Sequence, residues 1–238
     1  MRQLSDYKNW LKSIVENNLE EEQLEFVWEI MESPFVEYHY ELMKDPQLDD
    51  DFRRNLRFRF DEHGDEGAEF LFSKLDKNED PEFHSAIIFI LGKTKGKHKE
   101  KTLEYARKLS GSLDAVVREN AIIVLGWIGK NADLSILKKC LLEDDYSKCR
   151  AWSASSYMQM WFRKENNLLR KKSFEAYTTA LARENDYFVL AVILSAIRTM
   201  GKTRLGISQT ALDEGDTAKI DLARTKALKF LEKTLKNN

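Results

Sequence analysis

The chain has 238 residues, 42% hydrophobic and 33% charged, enough to bury a core as one large or two small domains. Three prolines and ten glycines are too few for a sandwich or barrel, which needs turn residues every ~8 to 12 positions, so a mostly helical fold is predicted. The net charge of −2 conceals a polarity: residues 1–82 carry 23 acidic and 10 basic side chains, residues 83–238 carry 17 and 28.

No apolar run approaches the ~20 residues of a membrane span, and the opening MRQLSDYKNW is too polar for a signal-peptide core. A cytoplasmic protein with no membrane association is expected. Residues 4–17, 20–33, 34–44 and 48–62 read as helices punctuated by Pro34 and Pro46 and rich in large side chains (Trp10, Phe26, Trp28, Phe35, Tyr38, Tyr40). They form an acidic helical segment, 1–63. DEHGDEGAE (61–69) is the densest run of potential metal ligands, but at a helix junction in an acidic segment it reads as a solvated turn. His39, His63, His84 and His98 are scattered, with no further ligand at metal spacing.

Further along, 66–75, 98–110, 133–142 and 167–183 read as helices, each followed by a second helix. The stretch VVRENAIIVLGWIGK (116–130) is the clearest second helix. Val117, Ala121, Val124, Leu125 and Ile128 share one face, Asp114 stands as N-cap, and Gly129 ends the helix. A shift of 34 back puts Asp80 under Asp114 and Phe83, Ile87, Ile90, Leu91 and Thr94 under the stripe. A shift of 32 forward gives Cys149, Ser153, Ser156, Tyr157 and Met160, with Arg150 under Arg118; a shift of 72 gives Asp186, then Val189, Ile193, Ala196, Ile197 and Met200. GKTKGK (92–97) lacks phosphate-loop spacing and follows a helix rather than a strand. Cys140 and Cys149, nine residues apart, match no short metal-ligand spacing and read as packed, reduced thiols. TRLGISQTALDEGD (203–216) reads as a mobile loop, and 217–236 as a closing helix with Ile220, Ala223, Ala227, Leu228, Leu231 and Leu235 on one stripe.

The stretch DAVVRENAIIVLGWIGKNADLSILKKCL (114–141) resembles a HEAT repeat, with Asp114, Val117-Arg118, Ala121, Leu125-Gly126 and Ile128-Gly129 in the family's positions. The third copy departs with Met158 in the glycine position, and the fourth with Leu190 in the arginine position. The resemblance implies an all-α, right-handed α-α superhelix: HEAT-like repeats at 64–97, 98–131, 132–164 and 165–204, an N-terminal cap at 1–63, and a loop plus capping helix at 205–238, all in one solenoid domain. It further implies that the second helices line a concave face, and that Arg118 pairs with a turn carboxylate such as Asp114. Each pair exposes an apolar face until a neighbour stacks on it.

On that face the positions not used by the core are Phe89, Lys93, Glu119, Asn120, Ile123, Trp127, Trp152 and Gln159, with Arg118 and Arg150 at its margin; aromatic and arginine side chains are the usual makings of interface hot spots. Trp127 and Trp152 read either as groove residues or as packing between helices. Turns inside repeats are acidic, whereas links between repeats carry Lys95, Lys97, Lys99, Lys130, Arg163, Lys164, Arg170 and Lys171. Helix capping accounts for one charge per helix end; five lysines within 93–101 exceed that and leave a basic rim suited to an acidic partner. The expected function is non-catalytic protein binding, as adaptor, assembly factor or toxin-neutralising immunity-type protein, with no cofactor, no metal and no catalytic residue. The competing expectation is a nucleic-acid enzyme resembling HEAT-like DNA alkylation-repair glycosylases, although that family's Trp and Asp arrangement has no counterpart in any copy.

Overall fold

A computed structural model describes residues 2–237; they are helical, with no strand among the described residues. The chain divides into two compact units, residues 1–102 and 103–238. No helix among the described residues is long and apolar enough to cross a membrane.

The first unit holds α1 (Leu4–Asn17), α2 (Glu20–Met31), α3 (Val36–Leu42), α4 (Asp50–Arg59), α5 (Gly64–Asp76), α6 (His84–Lys93) and the first turn of α7 (Lys99–Leu109). Its core is aromatic. Tyr7 and Phe52 meet Phe26 edge-on at 6.0 and 5.9 Å, and Phe60, Phe70 and Phe83 surround Tyr40. Such edge contacts add to the area these rings bury. The predicted helix 48–62 breaks into α4 and a 3-10 turn, Phe60–His63, ending at Gly64 with φ 60, a left-handed conformation that suits glycine.

Two expectations for this unit change. Asp80 does not cap α6: Pro81 opens a 3-10 turn that delays α6 to His84, and the Asp80 carboxylate instead accepts from Tyr40 Oη at 2.8 Å and meets Lys44 Nζ at 3.0 Å. His39 and His63 are not scattered: His39 Nδ1 lies 2.8 Å from His63 Nε2, and His39 Nε2 lies 3.0 Å from the Leu56 carbonyl. A carbonyl only accepts, so His39 Nε2 carries the proton and His39 Nδ1 accepts from His63 Nε2–H. Burial, then the neighbouring ring, pulls His39 down to about 3; burial pulls His63 down to about 4.

The second unit holds the rest of α7, then α8 (Ala115–Ile128), α9 (Leu134–Glu143), α10 (Ser147–Arg163), α11 (Asn167–Arg183), α12 (Tyr187–Met200), α13 (Gln209–Asp213) and α14 (Thr217–Lys236). Second helix α10 packs between second helices α8 and α12, and α9 and α11 pack on the same helix, which is the neighbour-on-neighbour stacking of a helical-repeat solenoid. Asp114 Oδ1 caps α8 through the amides of Val116 and Val117, and Asp186 Oδ1 caps α12 through Phe188 and Val189. These caps fix where each second helix begins, and so which residues its stripe buries.

Within the stripes Val117, Ala121, Val124 and Leu125 are buried and Ile128 is half-buried; Cys149, Ser153, Ser156, Tyr157 and Met160, and Val189, Ile193, Ala196, Ile197 and Met200, are all buried. Gly126 allows α8 and α10 to close together, because a Cβ there would lie 2.9 Å from the Ser156 Cα. Ser156 Oγ donates to the Ile122 carbonyl at 2.8 Å across the same approach. Tyr157 and Tyr177 donate from buried hydroxyls to the carbonyls of Leu134 and Ala154. Residues 203–216 are not a loose loop: they contain α13 and bury Leu205, Ile207, Ala211 and Leu212. Helix α14 then packs on α11 and α12, burying Ile220, Ala223, Ala227 and Leu231.

Candidate interaction surfaces and the repeat edges

Consecutive turns of the second unit are joined by arginines. Arg118 Nε and Nη2 donate to the two oxygens of Asp144 at 2.9 and 2.8 Å, Nη2 also reaches Asp145 at 2.8 Å, and Nη1 donates to the carbonyls of Ser112 and Leu113. Arg150 repeats the pattern one turn on: Nε and Nη2 bond Glu184 at 2.7 and 3.1 Å, and Nη1 bonds the carbonyls of Asp144 and Asp145. Each arginine thus holds the turn before its own helix by the carbonyls and the turn after by a carboxylate. Two-pronged guanidinium–carboxylate pairs of this kind are the stronger ion pairs.

The expected pairing of Arg118 with Asp114 is therefore wrong in its partner. Asp114 spends its carboxylate on capping α8, and the free fork of Arg118 points to the following repeat. Bonds to Asp144 hold the Arg118 guanidinium above its ordinary value. Burial works to raise Asp144, but the Arg118 bonds outweigh it and leave its carboxyl below the usual range. Glu184 is lowered against its own burial in the same way by Arg150. The two arginines thus pair the buried carboxylates of the turn edge, Asp144 and Glu184.

On the second-helix face of α8 and α10, Glu119 Oε1 accepts from Trp152 Nε1 at 2.9 Å, so these two residues tie the helices together. Asn120, Ile123, Trp127 and Gln159 are half-buried on the same pair of helices. In the first unit Phe89 is half-buried, and Lys93 lies over the Phe58 ring at 3.9 Å while its Nζ donates to the Phe58 carbonyl and to Asp61.

The rim residues fall in two groups. In the first unit Lys97 meets Asp65 and Glu69 at 3.7 and 3.2 Å, His98 lies 3.4 Å from Glu69, and Lys95 and Lys99 are exposed. Carboxylates of the 61–69 run, read from sequence as a solvated turn, here face Lys93 at the end of α6 and Lys97 and His98 beyond it. In the second unit a cleft of about 470 Å³ opens along the link edge, lined by Lys130, Arg163 and Lys164 together with Met160, Leu168 and Leu169, and by no carboxylate among the described residues. Arg163 Nη2 donates to the Gly129 carbonyl at 2.7 Å, joining one link to the next. Arg170 sits at the Trp161 ring, Lys171 is exposed, and Leu168 is 52% exposed, as is Phe162 at 67%.

Cys140, at the end of α9, and Cys149, in the first turn of α10, face each other across the turn, and their sulfurs lie with an Asp144 oxygen within 4.8 Å of one another. The signal was present in the core pattern: both cysteines occupy inward positions flanking a three-residue turn.

No curated protein and no solved structure matches this chain. The capped second helices, the arginine between turns and the helix-on-helix stack agree with one family comparison: residues 68–158, from α5 into α10, match the family model of HEAT repeats.

Proposed function

We propose that this chain is a non-catalytic binding protein that engages another protein carrying an acidic surface, with the basic link edge of the second unit as its principal contact. The observation that carries the reading is the link cleft: Arg163, Lys164 and the exposed Leu168 line one concavity with no carboxylate in its wall. The turn edge stays acidic, with Asp144 and Glu184 paired to Arg118 and Arg150, whereas the link edge carries positive potential that draws in an anionic surface. Half-buried Trp127 and Ile123 offer apolar area on the second-helix face. Adaptor, assembly and toxin-neutralising roles all fit such a surface, and buried free thiols suit a reducing compartment such as the cytoplasm.

The test is quantitative capture from a native lysate with wild type, Lys164→Glu/Lys171→Glu and Trp127→Ala, each first shown to melt as a folded chain. Loss of one set of proteins with the charge-reversed variant supports the link edge; identical capture by all three refutes it. Duplex DNA is the control ligand. Binding that weakens steeply with salt would move the reading to nucleic acid, because phosphate contacts release counterions.

A further inference from the structure

We propose that Cys140, Cys149 and Asp144 form a binding site for one thiophilic divalent cation of the zinc class, at the junction of α9, its following turn and α10. Both thiols are buried, Cys149 fully and Cys140 at 8% exposure. Cys140 Sγ stands 3.6 Å from Asp144 Oδ2, and all three ligand atoms lie within 4.8 Å of one another. A tetrahedral zinc with bonds of ~2.3 Å to sulfur and ~2.1 Å to oxygen has an S···O edge of about 3.6 Å and an S···S edge of about 3.8 Å. The Cys140–Asp144 edge is therefore already set, and closing the two edges to the Cys149 sulfur asks for a shift of at most about 1.2 Å. Cys149 can supply it by turning from its weak 3.5 Å contact with the Ala115 carbonyl.

Charge and access agree with the geometry. Binding exchanges two thiol protons for one dication, leaving two thiolates, one carboxylate, the cation and the Arg118 guanidinium, which sum to zero. Asp144 can keep Arg118 while it binds metal, since a carboxylate offers about four lone-pair sites. Cys140 forms part of the wall of a cleft of about 510 Å³ shared with Arg107, Arg118 and Lys139, which gives the cation an entry and a water the fourth position.

The experiment uses the full chain, reduced, stripped with a chelator and titrated with Co²⁺ as the spectroscopic probe. The expected result is one Co²⁺ per chain, a thiolate-to-cobalt charge-transfer band with tetrahedral ligand-field bands, about two protons released per ion, and displacement by Zn²⁺. Cys149→Ser and Cys140→Ser should each abolish the charge-transfer band. The two variants serve as mutual controls, since Cys140 lies at a cleft wall where serine is tolerated even if the deeper Cys149→Ser perturbs the fold. No charge-transfer band in the wild type, or one that survives both substitutions, overturns the site. So does a disulfide between the two cysteines on mild oxidation in a chain whose reduced form shows no metal band, which would make the pair a redox couple instead.

Discussion

Arg118→Ala should be among the most damaging single substitutions outside the apolar core. The Arg118 side chain is 14% exposed and its partner Asp144 7%, while Asp145 is 91% exposed and adds little. Truncation leaves the Asp144 carboxylate buried with the Tyr146 amide and the Cys140 thiol, and leaves the Ser112 and Leu113 carbonyls without their donor. Breaking a buried pair by removing one partner costs ~3 to 5 kcal/mol, and the residual exposure here argues for the lower end, about 3 kcal/mol. Arg118→Lys keeps the charge but loses the two-pronged fork and should fall between wild type and Arg118→Ala. Urea unfolding of the single and double variants with Asp144→Ala reads the coupling directly, provided the slope is unchanged. A cost for Arg118→Ala below about 1 kcal/mol, with no coupling to Asp144, would refute the view that the turns are clamped to one another.

Three other outcomes follow from the same structure. His39 and His63 are held neutral, with folded values near 3 and 4 against an ordinary 6.5, so below pH 6.5 the unfolded chain binds the extra protons and stability falls with acidification. Buried His39 alone should cost about 2 kcal/mol between pH 6.5 and 5, and His39→Phe should flatten that slope in urea midpoints measured across the range. Gly126→Ala should lower the melting temperature although alanine is the better helix former, because its Cβ meets the Ser156 backbone at 2.9 Å; crowding of this kind costs ~1 to 3 kcal/mol. Limited proteolysis should spare residues 203–216 in the native chain, and Leu205→Asp, which places a charge at a site only 7% exposed, should open the segment to cleavage.

Features that depend on one helix and its own turn were legible in the sequence. The Asp114 and Asp186 caps, the Gly129 stop and the apolar stripes need only local spacing, and α1, α11 and α14 have the predicted ends. What depends on how one repeat sits on the next was not. Arg118 had a carboxylate nearby in sequence, yet its fork closes on a turn 26 residues away. Pro81 turned an apparent cap into a contact between Asp80 and Tyr40, 40 residues earlier. The link edge was visible as a run of cations, but which of them meet carboxylates was not: Lys93 and Lys97 do, whereas the cleft beside Arg163 and Lys164 has none in its wall. Ligand spacing within one stretch does not reveal Cys140 and Cys149, because it is the turn between two helices that brings their sulfurs together.

The binding reading is tested most directly by hydrogen exchange on the complex with whatever protein the chain captures. Added protection at residues 129–131 and 163–171, with the turns at 112–114, 144–146 and 184–186 unchanged, is the predicted result. Protection confined to those turns, or to the first unit, would contradict it.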